Sequence, residues 1–142
     1  MIAGDDPSPW NLLHDGTLVA IQRAGSTVRL TIELPHLRVR FEPRGEAFFV
    51  ELHGVESFGY LPYTDRWDEP LIEELAAIVA ERPNVVEAEA RKPTRDDPAS
   101  MVVWGSLGSL RLAYASLELA LDSGRAITID DLARATPSST RR

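Results

Sequence analysis

The chain of 142 residues has the length of one domain, and its 44% hydrophobic and 26% charged residues are ordinary for a globular protein. It contains no cysteine, which excludes disulfides, thiolate metal sites and a cysteine nucleophile. Recognition of a phosphate backbone needs a concentrated positive field, so the net charge of −7 argues against a nucleic-acid partner. We expect a single domain over residues 1–142, with mobile tails at 1–9 and 136–142.

The N-terminal residues lack the basic and apolar regions of a signal peptide. No apolar run approaches the roughly 20 residues needed to span a bilayer. We therefore expect a cytoplasmic protein that does not bind membranes.

Short amphipathic segments separated by turn residues predict strands at Thr17–Arg23, Thr27–Leu34, His36–Phe41 and Phe48–Gly54. Gly25 suits the first central position of a type II′ turn, where φ is positive. This turn places Ile21 opposite Leu30 in the first hairpin. The same register places Val19 opposite Ile32, so that one face is apolar.

A second hairpin is predicted around residues 42–47, joining the third and fourth of these strands. Its polar face pairs Arg38 with Glu51 and His36 with His53. Cross-strand neighbours lie about 4.5–5.5 Å apart at Cβ, so in this register the two imidazoles could touch, whereas a slip of two residues would separate them. Its apolar face pairs Phe41 with Phe48, Val39 with Val50 and Leu37 with Leu52.

A further strand is predicted at Phe58–Tyr63, followed by a helix at Glu69–Glu81. Asp68 is the predicted N-cap of this helix, and Pro70 lies close to its start. Its apolar stripe consists of Leu71, Ile72, Leu75, Ile78 and Val79.

More strands are predicted after Val85, including Met101–Trp104. Leu110–Leu121 fits both an alternating strand pattern and a helical period. We favour strands with a phase change between them, because residues 122–125 are typical of a turn leading into Ala126–Ile129. Asp130 or Asp131 is then the expected cap of a last helical turn at Leu132–Ala135.

These elements predict an α+β fold. We expect a curved or barrel-like, mainly antiparallel sheet of about six to eight strands, packed against the one main helix.

A possible polar cluster consists of His14, His36, His53, Arg38 and Glu51. Its histidines could hold a metal or sense pH, but metal sites usually have three or four ligands. We favour a solvated sheet face and predict no metal and no cofactor. The adjacent His14 and Asp15 could serve acid–base catalysis, but Asp15-Gly16 is explained by turn chemistry, so we predict no catalytic residue.

The most plausible partner-binding residues are Tyr60, Tyr63, Asp65, Trp67 and Asp68. They form an aromatic and acidic stretch before the predicted helix, and Tyr and Trp are favoured interface anchors. The competing interpretation is that Tyr60 and Trp67 fill the edge of the core. The Gly105–Ser109 segment lacks the lysine of a phosphate-binding loop, so we interpret it as a turn.

The motif Trp10-x-x-Leu13-His14-Asp15-Gly16 and the turn Leu121-Asp122-x-Gly124-Arg125 resemble small bacterial families grouped with the immunity proteins of polymorphic toxin systems. The resemblance implies a cytoplasmic, acidic, non-catalytic protein that binds a protein partner. It carries no functional residue over to this chain.

Our leading hypothesis is therefore a non-enzymatic protein-binding module that neutralises or regulates a protein partner, as an immunity-type or a regulatory protein. The acidic net charge favours a basic partner. The alternative is an enzyme or small-molecule carrier that uses the concave face of the sheet and His14, His36 and His53. A third interpretation is a homodimer formed through an edge strand.

Overall fold

The computed structural model describes residues 1–64 and 70–136. These residues contain ten strands in two antiparallel sheets and four short helices. The predicted α+β class with mainly antiparallel strands is confirmed. The strands form two open sheets rather than a closed barrel.

The strands are, in chain order, β1 (Ile2–Ala3), β2 (Thr17–Ala24), β3 (Thr27–Glu33), β4 (Ala47–His53), β5 (Ser57–Pro62), β6 (Glu87–Ala90), β7 (Met101–Trp104), β8 (Gly108–Ala113), β9 (Ser116–Leu121) and β10 (Ala126–Ile127). The helices are α1 (Ser8–Leu12), α2 (Pro35–Arg38), α3 (Leu75–Ala80) and α4 (Ile129–Ala135). The six-stranded sheet has the order β1-β9-β4-β3-β2, with β10 also paired to β9. The four-stranded sheet has the order β5-β8-β7-β6.

The two sheets share one hydrophobic core. Successive strand residues point to opposite faces, so every second side chain of β3, β4 and β9 is buried. These buried residues are Val28, Leu30, Ile32, Phe48, Val50, Leu52, Leu117, Leu119 and Leu121. Phe58, Tyr60, Met101, Leu110 and Leu112 of the four-stranded sheet belong to the same cluster. The six-stranded sheet therefore keeps one outer face for other contacts, whereas Val102 and Ser109 on the second face of the four-stranded sheet are also buried.

The first hairpin has the predicted turn, and its register is correct near that turn. Gly25 has a positive φ of 62°, and Ile21 lies opposite Leu30. Further along, the prediction is wrong: a bulge at Val19 shifts the register, and Leu18 rather than Val19 lies opposite Ile32.

The predicted strand at His36–Phe41, and with it the second hairpin, is wrong. Pro35 starts helix α2, where its fixed φ is favourable. Leu37 and Phe41, which are four residues apart, are both buried, whereas Val39 is 60% exposed. A strand would have buried all three, so the helical period determines the structure here. In the structure β4 pairs instead with β3. Arg29 of β3 lies opposite Glu51, in the position predicted for Arg38.

The predicted helix at Glu69–Glu81 is shorter in the structure, because α3 begins only at Leu75. Before it, the N–H and C=O of Ile72 both bond to the backbone of Tyr60, at 2.8 Å each. The N–H and C=O of Ile72 are therefore paired with the edge of β5, so they do not need the hydrogen bonds of a helix. The N-cap position is Glu74, and the predicted cap, Asp68, lies outside the described residues.

The C-terminal part follows the strand interpretation. Leu110–Leu121 forms β8 and β9, which belong to different sheets, and the phase change is the connection between them. The last helix is present, but its cap is Thr128, with Asp131 as the reciprocal partner in a capping box. The segment 1–9 contains β1, which pairs with β9, and the start of α1.

An ion pair between the buried Arg38 and the partly exposed Asp122 connects α2 to the turn after β9. The Arg38 side chain is fully buried, and its Nε and Nη2 donate to Asp122 Oδ1 at 2.9 and 2.7 Å. The other carboxylate oxygen accepts from the backbone N–H of Glu46 and Ala47. A Cβ at Gly45 would lie 2.2 Å from Asp122 Oδ1, so only glycine allows this close approach.

We predict that Asp122→Ala lowers the free energy of unfolding by about 3 kcal/mol, because it leaves the Arg38 guanidinium buried without its counter-charge. Urea denaturation measures this change. Glu42→Ala, which removes an exposed carboxylate, should change stability by less than about 0.5 kcal/mol. Equal stability of the Asp122→Ala variant and the native chain would contradict the structural role of the pair.

The same site predicts a pH dependence. Partial burial raises the pKa of the Asp122 carboxyl, but bonds from Glu46, Arg38 and Ala47 more than offset this, so the pKa lies below its ordinary value. The ionised carboxylate therefore stabilises the folded state at neutral pH, and this contribution is lost as the pH falls through its folded-state pKa. Below about pH 5, the free energy of unfolding measured by urea denaturation should fall less steeply with decreasing pH for Asp122→Asn than for the native chain. Parallel pH profiles would refute this assignment.

Candidate functional site

The predicted polar cluster is divided among separate parts of the fold. His14 is exposed after α1, where its Nδ1 lies 3.0 Å from the backbone oxygen of Asn11. His36 is exposed on α2, and Arg38 is buried against Asp122. The predicted contact between His36 and His53 is therefore wrong.

Glu51 and His53 do lie together, on the outer face of the six-stranded sheet. They are two residues apart on β4, and His53 Nε2 lies 3.5 Å from Glu51 Oε1. The structure adds Glu118, which lies directly opposite Glu51 on β9 and places Oε1 2.8 Å from His53 Nε2. We call Glu51, His53 and Glu118 the acid–histidine cluster.

Arg29 borders the acid–histidine cluster from β3. Its Nη2 lies 3.4 Å from Glu51 Oε2, and its guanidinium carbon lies 4.8 Å from the centre of the Phe49 ring. A groove of about 470 Å³ runs along this face. Its lining includes Arg29, Phe49, Glu51, Glu118, Ile127 and Ile129.

The predicted partner-binding residues are only partly at the surface. Tyr60 is 1% exposed and belongs to the core, so it is not available to a partner. Tyr63 is 49% exposed. Asp65, Trp67 and Asp68 lie outside the described residues.

Tyr63 instead forms a surface with Trp104, which the sequence interpretation treated only as a strand end. The two rings stack with centroids 6.4 Å apart and planes inclined by 28°. Arg91 and Arg111 lie over the Trp104 ring, with their guanidinium carbons 5.5 and 5.7 Å from its centre. We call these four residues the aromatic platform.

Acidic residues hold the platform in place. Trp104 Nε1 donates to Glu89 Oε1 at 3.2 Å, and Arg111 Nη1 bonds to Asp97 Oδ2 at 2.8 Å. Arg91 Nη2 lies 3.4 Å from Glu89 Oε1. The platform therefore combines rigid rings with cations whose positions are fixed by neighbouring carboxylates.

Comparisons of the chain with protein-family models, with curated proteins and with solved structures give no match. Over residues 1–64 and 70–136, no helix is both long enough and apolar enough to cross a membrane.

The electrostatics of the platform can be tested through Tyr63. Burial raises the pKa of its hydroxyl, while the positive charge of Arg111 and a bond from the Gly105 backbone lower it, with a net increase. Arg111→Gln should therefore raise the pKa of Tyr63 further. Ultraviolet absorbance titration measures this, and the Tyr63 signal is isolated by subtracting the Tyr63→Phe titration. Arg23→Gln, in an exposed part of β2, is the matched control and should have no effect. A lower pKa in Arg111→Gln would contradict the arrangement.

Proposed function

We propose that the chain is a non-enzymatic protein-binding module whose contact surface is centred on the aromatic platform. The observation that carries this proposal is the half-exposed Tyr63 stacked on Trp104, with two arginines over the indole ring. Trp, Tyr and Arg are the residue types that contribute most to binding at protein interfaces.

The platform is also preorganised. Trp104 belongs to β7, which lies between β8 and β6, and its ring is fixed by Tyr63 and Glu89. A side chain that is ordered before binding loses less conformational entropy when the partner arrives. Two exposed apolar residues lie next to the platform in the backbone, since Tyr63 bonds to Leu107, which is 67% exposed, and Trp104 bonds to Val86, which is 48% exposed.

The chemistry of the partner follows from charge. The net charge of −7 attracts a basic protein at long range and accelerates its association. An immunity-type role, in which the module covers part of a basic toxin in the cytoplasm, is the biological setting we propose. It rests on this charge and on the resemblance of the two turn motifs.

A second candidate function is small-molecule binding in the groove of the six-stranded sheet. Its volume of about 470 Å³ lies within the roughly 300–1,000 Å³ of ligand pockets. Its lining includes the charged side chain of Arg29 and the aromatic ring of Phe49. Of the histidines predicted to serve such a site, His53 is the one that lies beside the groove, through its contacts with Glu51 and Glu118.

Pairing of a second copy along β6 faces an obstacle. Asn11 occupies that edge, because its Oδ1 accepts from the Ala88 N–H at 2.8 Å and its Nδ2 donates to the Ala88 carbonyl at 3.3 Å. Edge strands whose backbone groups are covered in this way are protected against strand addition.

The platform proposal predicts a large effect of Trp104→Ala on partner binding. The tagged chain captures its partner from native cell extract, and the affinity of the purified pair is then measured by calorimetry. Trp104→Ala should weaken binding at least about 30-fold, the equivalent of about 2 kcal/mol for a central interface residue.

Phe49→Ala is the matched control, since it removes an aromatic ring from the other sheet. It should leave the affinity unchanged. Loss of the partner by Phe49→Ala and its retention by Trp104→Ala would contradict the platform and favour the groove. Trp67→Ala and Asp65→Ala test whether the neighbouring segment also contributes.

A further inference from the structure

We propose that Glu51, His53 and Glu118 bind a divalent transition-metal ion of the zinc type. This site lies on the outer face of the six-stranded sheet, whereas the aromatic platform lies on the other sheet, so it goes beyond the proposed function. The side chains supply one imidazole nitrogen and two carboxylate oxygens, which are the nitrogen and oxygen ligands that Zn²⁺ accepts.

The backbone fixes these three side chains on one surface. Residues two apart on a strand point to the same face, as Glu51 and His53 do on β4. Glu118 is the direct cross-strand partner of Glu51 on β9. Because β4 is hydrogen-bonded on both sides, to β3 and to β9, the ligands project from a rigid part of the sheet.

The separations fit chelation after small side-chain movements. The three ligand atoms all lie within 4.8 Å of one another, and His53 Nε2 lies 2.8 Å from Glu118 Oε1 and 3.5 Å from Glu51 Oε1. Tetrahedral ligands at about 2.0–2.2 Å from Zn²⁺ lie roughly 3.3–3.6 Å apart. Rotation of the two glutamates about their side-chain bonds is therefore sufficient.

Metal binding replaces a proton. In the tautomer with a hydrogen on Nε2, His53 donates that hydrogen to Glu118 Oε1 at 2.8 Å. A metal ion takes the Nε2 lone pair and both carboxylates as ligands, so this hydrogen moves to Nδ1 of the same ring or, from a charged ring, to solvent. The metal-free hydrogen bond between His53 and Glu118 and the metal site are thus two states of the same residues.

Arg29 supports this arrangement. It contacts Glu51 through Oε2, which leaves Oε1 for the metal. Groups that hold a ligand through its other atom orient it and increase metal affinity. The side chains of His53, Glu51 and Glu118 are 28%, 30% and 51% exposed, so an ion can reach them from solvent.

Three protein ligands leave one position of a tetrahedral zinc ion open. Glu51 and Glu118 also line the groove of about 470 Å³. The open position is therefore available to water or to an oxygen or nitrogen of a small molecule held in that groove.

The test is calorimetric titration of ZnCl₂ into the tag-free, metal-stripped full chain. We expect saturable binding of one equivalent. His53→Ala and Glu118→Gln should each weaken it more than about tenfold, since even the loss of an outer partner of a metal ligand has an effect of 10–100-fold. The chain contains two further histidines, and His14→Ala and His36→Ala should leave the affinity unchanged.

Absence of saturable Zn²⁺ binding would overturn the proposal and leave a simple histidine–carboxylate pair. Equal weakening by His36→Ala or His14→Ala would overturn it as well, since the metal would then bind elsewhere. Circular dichroism establishes that each variant is folded. Trp104→Ala should bind Zn²⁺ like the native chain, which separates this result from that of the platform.

Discussion

The ion pair between the buried Arg38 and Asp122 is the constraint on which the arrangement of the larger sheet depends. A guanidinium that is fully removed from water is tolerated only when a counter-charge and hydrogen bonds accompany it. Asp122 provides both and also accepts from the first backbone N–H of β4, at Ala47. The pair therefore joins the end of β9 to the beginning of β4. Its two members, Arg38 and Asp122, lie 84 positions apart in the chain.

This connection sets the register of the two central strands. Phe48 lies opposite Leu121 next to the ion pair, and Glu51 lies opposite Glu118 three positions further along. A slip of one residue would move every side chain of a strand to the other face. Such a slip of β9 would bury Glu118 and expose the leucines of that strand. The buried charge at one end of the ladder and the acid–histidine cluster in its middle thus depend on the same alignment.

Local features of the fold could be predicted from the sequence, and features that depend on distant parts of the chain could not. The turn at Gly25 follows from its need for a positive φ, and the alternating residues of β3 indicate its buried face. Leu37 and Phe41 fit both a strand and a helix, and only the core contacts decide between them.

Glu118 joins His53 through a pairing of β4 with β9, and no local pattern indicates which distant strand that partner will be. The same holds for Tyr63 and Trp104, whose stacking depends on how the four-stranded sheet is assembled.

The shared core also explains why both proposed sites lie on outer faces. The inner faces of the two sheets supply the apolar side chains of one cluster, so the residues on these faces serve only to pack the core. Polar and aromatic residues that occur between these positions must point outward, because strand side chains alternate. On β4 this alternation places Glu51 and His53 together, and on β7 it leaves Trp104 at the surface beside the arginines of neighbouring segments. The periodicity that forms the core therefore also generates the two surfaces on which function can be carried.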